Sequence, residues 1–128
     1  MSYTLDRILA GTDIDTAEER TRAALTANGF GVLTEIDVSA TMKKKLDVDM
    51  PGYKILGACS PQIAYDAIQL EPKLGVMLPC NVILRAVDGG VEVSVIDPVT
   101  SMMGVDNAEL PAMADMVRAM LQKTVDEI

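Results

Sequence analysis

Two cysteines, Cys59 and Cys80, have the widest chemical range of any residues in this chain. Each lies beside a proline at a point where a regular element should begin, in Gly57-Ala58-Cys59-Ser60-Pro61 and in Leu78-Pro79-Cys80-Asn81. Two thiols brought together suit a soft metal ion such as copper(I), or a dithiol–disulfide pair. Thioethers extend a soft donor set, which adds Met77, Met102 and Met103, and the Asn81 amide beside Cys80 could orient a ligand. The competing expectation is that both cysteines are small apolar core residues, as free cysteine often is. The candidate metal ligands are therefore Cys59 and Cys80, and the wider ligand-binding set is Cys59, Cys80, Asn81, Lys45, Met77 and Met102. Lys45 enters from Lys43-Lys44-Lys45, the sole basic run of the chain. That run reads either as an anion site or as a solvated helix face balancing Asp47 and Asp49.

Other chemistries are poorly provided for. The chain has no histidine, which excludes a histidine-based triad or proton shuttle. Two thiolates are too few for structural zinc, which takes four nitrogen or sulfur ligands. Asp66, Glu71, Asp88 and Asp97 are scattered, and no spacing forces two carboxylates into one cleft. Asp97 before Pro98 reads as a turn or helix cap. Gly29 and Gly31 follow a helical stretch rather than a strand, so the dinucleotide-binding pattern fails on context. An enzyme using Cys59 as nucleophile, with Lys45 lowering its pKa, would lack an obvious general base. No catalytic residue is assigned and no cofactor is named.

The elements around the cysteines decide whether the two thiols can meet. Residues 53–58 alternate as a short buried strand. Ser60-Pro61 then opens a helix, with the Ser60 hydroxyl as cap and Ala64, Ala67 and Ile68 on the apolar face, and Pro72 ends it. Cys59 thus sits at a helix N-terminus, where the dipole lowers a thiol's pKa if the thiol is exposed. A ten-residue helix climbs roughly 15 Å. Residues 71–79, if extended, are long enough to return over that distance. A returning chain makes the flanking strands antiparallel and the thiols neighbours. An ordinary crossover makes them parallel and places the thiols at opposite ends of the sheet.

The rest of the chain reads in order as a strand over residues 3–9, a helix from Thr16 to Asn28 capped by Asp15 or Thr16, and a strand over 30–38. A short helix over 40–46 capped by Ser39 follows. After the central stretch come strands at 81–87 and 91–95, joined by the tight-turn signal Asp88-Gly89-Gly90. A loop over 99–107 leads to a last helix, 107–127, whose stripe is Leu110, Met113, Val117, Met120, Leu121 and Thr124. This order predicts an α+β protein, a mostly antiparallel sheet with helices on one face. The other face needs cover, which a second copy would supply. Aromatic residues are 3% of the chain, Met numbers 9 and Trp is absent, so the core must be aliphatic and methionine-filled.

A chain of 128 residues suits one domain, residues 1–128. A net charge of −8 argues against nucleic acid and against an anionic membrane surface. No apolar run reaches about 18 residues, so no transmembrane helix is expected. The N-terminus lacks a basic then apolar leader, from which a cytoplasmic location with reduced cysteines is expected.

Gly57-Ala58-Cys59-Ser60-Pro61, then Ala64, Ala67, Ile68 and Gly75, then Leu78-Pro79-Cys80-Asn81-Val82 and Ile96-Asp97-Pro98, resemble the family called domain of unknown function 302. Lys45-Leu46 matches a Lys-Leu common before the central strand, whereas Ser60 stands where the family usually has Asn. The resemblance covers most of the chain. It implies a fold resembling that of the TATA-box-binding protein, often dimeric, and favours the antiparallel arrangement of the two cysteine strands. It implies no reaction, and DNA binding does not come with the fold.

Overall fold

Alternation of apolar and polar residues marks the strands, and four of the five bury side chains on one face. The computed structural model describes residues 2–128. Its elements are β1 (Thr4–Ala10), α1 (Ile14–Ala27), β2 (Gly31–Asp37), α2 (Val38–Leu46), β3 (Tyr53–Cys59), α3 (Pro61–Leu70), a 3-10 turn (Pro72–Met77), β4 (Cys80–Val87), β5 (Gly90–Ile96), α4 (Pro98–Ser101) and α5 (Leu110–Glu127). The strands form one sheet in the order β1-β5-β4-β3-β2. Every neighbouring pair is antiparallel. The α+β reading from the sequence is therefore correct, with an all-antiparallel sheet.

Leu5 and Leu9 of β1, Leu56 and Ala58 of β3, Val82 and Leu84 of β4, and Val91, Val93 and Val95 of β5 point to one face. There they meet Ala17, Ala24 and Leu25 of α1 and Val117, Leu121 and Val125 of α5. Burying such a side chain contributes about 1.5–3 kcal/mol, so this layer is the main source of stability. A smaller cluster of Ala67, Leu74 and Leu110 joins α3, the 3-10 turn and the start of α5. The opposite face of the sheet carries no helix among the core contacts, and Ile8 and Ile36 stay exposed. Leu33, also exposed, is the extra residue where the β2–β3 register shifts between Val32 and Thr34.

Charged groups close the edges of this layer. Arg7 Nη1 donates to the Val125 and Asp126 carbonyls, each at 3.0 Å, and Arg20 Nη2 donates to the Ile128 carbonyl at 3.1 Å. Two cations thus sit at the negative end of α5. Lys54 of β3 reaches Glu18 of α1 at 2.7 Å and Glu35 of β2 at 3.4 Å. Burial alone would raise the Glu18 carboxyl, but hydrogen bonds from Lys54 and Arg22 outweigh it and hold its pKa below the ordinary value.

Several caps differ from the sequence reading. Asp13, not Asp15 or Thr16, caps α1, its Oδ1 accepting from the Thr16 N–H at 2.7 Å. Asp37, not Ser39, caps α2, accepting from the Ala40 N–H at 2.9 Å. Ser39 instead donates to Asp37 and accepts from the Tyr53 N–H. At α2 a carboxylate takes the cap from a hydroxyl, and its charge also answers the helix dipole. Ser60 occupies the cap position of α3, but its hydroxyl makes no cap bond. Tyr3, at the start of the first predicted strand, is 66% exposed, and Ile68, placed on the apolar face of α3, is more than a third exposed. Residues 98–101 form a helical turn capped by Asp97, and α5 begins at Leu110.

Candidate thiol site

The chain climbs α3, turns through the 3-10 segment and comes back, so β3 and β4 run antiparallel with Ala58 directly opposite Cys80. Cys59 is the next residue after Ala58, at the end of β3, and Cys80 opens β4. The returning-chain arrangement is the one observed.

Gly57 makes the close approach possible. A Cβ at this position would lie 2.6 Å from Pro79 Cγ and would collide with the Thr34 hydroxyl. Any side chain there would push apart β2, β3 and the entry to β4. The Leu78–Pro79 peptide bond beside it is cis.

Cys59 and Cys80 line one narrow cavity between the sheet end, α3 and α5. Its free volume is about 40 Å³. A water needs roughly 10–15 Å³ on this measure, so the space suits a single ion or a very small group. Ile63, Ala64 and Ala67 of α3 form one wall, Phe30 and Val117 belong to another, and Met102 and Met113 complete the lining. Ser60 is the one hydroxyl residue there, and no carboxylate lines it.

Burial decides the protonation of both thiols. It raises the Cys59 pKa above 9.0, and the Cys80 pKa is pushed up to about 11 by burial and by the charge of nearby Cys59. A helix end lowers the pKa of an exposed thiol, but Cys59 is partly buried and burial moves its pKa the other way. Lys45 offers no help. β2 begins at Gly31, opposite Cys59, and ends at Asp37, opposite Lys54, where α2 follows. Lys45 is thus at the far end of the strand pair and exposed. In the same run Lys43 pairs with Asp47 and Asp49 at 3.1 and 3.3 Å, the solvated-face arrangement.

Of the six ligand-binding candidates, three come together: Cys59, Cys80 and Met102. Asn81 lies one residue past Cys80 and so faces the other side of the sheet, lining an open depression with Tyr53 and Arg85. Met77 borders a separate shallow depression beside Leu74 and Val105. Met103 is 66% exposed and also lies elsewhere. Met113 is the residue that sequence reasoning missed. Its place on the α5 stripe, one turn before Val117, favoured a core role over pocket lining, and the same stripe also put it on the face that meets the cavity. Among the described residues no group of three or more cysteines and carboxylates could hold a metal, so a metal here would depend on sulfur.

Residues 7–128 match the family described as domain of unknown function DUF302. The chain belongs to the DUF302 family. No curated protein matches it. The fold is similar to that in a crystal structure of an uncharacterized conserved DUF302 protein from Bacillus stearothermophilus, with a TM-score of 0.91 at 22% identity, covering 99% of this chain and 98% of the other. At that identity the DUF302 likeness speaks for the fold and leaves the chemistry to the site. No helix among the described residues is long and apolar enough to cross a membrane.

Proposed function

We propose that this protein binds a thiophilic metal ion at Cys59 and Cys80. The observation that supports this most directly is that both cysteines line a single small apolar cavity. Separate burial in aliphatic packing would need no shared space. Both thiols are protonated at neutral pH, so ligation displaces their protons, and metal uptake strengthens as pH rises. The same protonation argues against a nucleophilic enzyme, which needs a thiolate and a base beside it.

Titration of reduced protein with silver(I) or cadmium(II) tests the reading. One ion per chain, shared by two thiols, is expected, with uptake lost in both Cys59→Ser and Cys80→Ser. Uptake unchanged in the double serine variant would remove the site.

A second reading concerns assembly. The bare sheet face carries Ile8 and Ile36 exposed, with Ile55 and Ile83 partly exposed in the same row as Ile36. A second copy packed on this face would form a homodimer. Sedimentation equilibrium reading a single 13.7 kDa species would dismiss it.

A further inference from the structure

We infer that the cavity is selective for monovalent copper, with the thioethers of Met102 and Met113 completing a sulfur donor set begun by Cys59 and Cys80. This rests on the thiophilic-metal reading and goes beyond it in naming the ion and two further ligands.

The donor chemistry argues for the ion. Calcium and magnesium need oxygen ligands, and the lining supplies no carboxylate or amide. Zinc needs four nitrogen, thiolate or carboxylate ligands, and the cavity has two thiols and no imidazole. Thiolate together with thioether is the combination that selects copper(I) among the common metals. Apolar walls keep water from the ion, which disfavours the oxygen- and nitrogen-ligated divalent state.

The fold also places the two methionines for this role. Met102 ends α4 and Met113 lies in the first turn of α5. Asp97 ties these two elements together, accepting from the Val99 N–H at 2.9 Å and from Arg118 Nε of α5 at 3.0 Å. Both methionines also pack on the small Ala67–Leu74–Leu110 cluster rather than filling the main core. Both therefore stand between that cluster and the thiol cavity. An unbranched side chain with three rotatable bonds can turn its sulfur toward an ion without moving the backbone. Each cysteine that ligates copper gives up its proton to solvent, and the metal keeps its oxidation state throughout.

The test is anaerobic competition of copper(I) between the reduced protein and a chromogenic copper(I) chelator, run for wild type and for Met102→Leu/Met113→Leu. Leucine conserves volume, so the fold should survive. A loss of copper(I) affinity of about tenfold or more is expected in the leucine variant. Excess zinc(II) should fail to displace copper from wild type. Sulfur X-ray absorption counting on copper-loaded wild type needs no variant, and three or four sulfurs per copper are expected. Two sulfurs, or equal copper affinity in the leucine variant, overturns the methionine assignment while leaving the two-thiol reading in place. Displacement by zinc overturns the selectivity. Copper affinity unchanged in the double serine variant overturns both.

Discussion

Alkaline pH should weaken this fold most through the Cys80 thiol. Its thiol ionises at about 11 in the folded protein, against 9.0 for an ordinary thiol, because burial and the neighbouring Cys59 charge disfavour the thiolate. The sign follows from which state binds the proton more tightly. Below about pH 9 the thiol is protonated in both folded and unfolded chains and contributes no pH dependence. Between about pH 9 and 11 the unfolded chain loses the proton while the folded chain holds it, so stability falls as pH rises. Above about pH 11 both are ionised and the loss is complete. One unit of difference corresponds to about 1.4 kcal/mol, so the full effect is on the order of 3 kcal/mol, and by about pH 10.5 roughly 2 kcal/mol of it has been lost. Urea unfolding of wild type and Cys80→Ala at about pH 7.5 and 10.5 isolates this contribution. The cost of removing the side chain is the same at both pH values and cancels in the difference. Wild type should lose about 2 kcal/mol more than the variant over that interval. Parallel losses in the two proteins would mean that the thiol is hydrated, and the account of an apolar, water-poor cavity would fall with it.

Gly57→Ala should cost about 1–3 kcal/mol, because the new methyl group meets the Pro79 ring and the Thr34 hydroxyl. Thiol labelling of Cys80 should accelerate as β3 and β4 separate, and unchanged stability and labelling would contradict the close approach. Thr21→Val should stabilise by about 1 kcal/mol in urea unfolding, since the buried Thr21 hydroxyl has no hydrogen-bond partner among the described residues and valine has its shape; a loss would reveal a partner for that hydroxyl. Arg7→Met should cost about 1–2 kcal/mol by leaving the Val125 and Asp126 carbonyls at the end of α5 without their donor. Most of that cost should appear at low salt, and a variant as stable as wild type would show that α5 does not depend on this contact.

Local signals carried most of the architecture. The β4–β5 hairpin was legible because Val91, Val93 and Val95 alternate after Asp88-Gly89, and Gly89 supplies the positive φ of 82° in the turn. The α5 stripe was legible because a helix repeats every three to four residues, and Leu110, Val117, Leu121 and Thr124 are all buried. Helix ends were less legible. Asp13 and Asp37 each compete with a nearby Asp, Ser or Thr, and a shift of two residues is invisible to periodicity.

The candidate site depended on more distant relations. The sequence alone established two thiols at element boundaries, a histidine-free donor inventory and an α+β order, because composition and periodicity are properties of neighbouring residues. Tertiary structure decided that Cys59 and Cys80 share a cavity, that Met102 and Met113 join them, and that Lys45, Met77 and Asn81 do not. Those outcomes turn on where α3 returns the chain, on which side of the sheet each residue faces, and on how deeply each thiol is desolvated. All three are set by packing between residues far apart in the chain, and no local pattern records them.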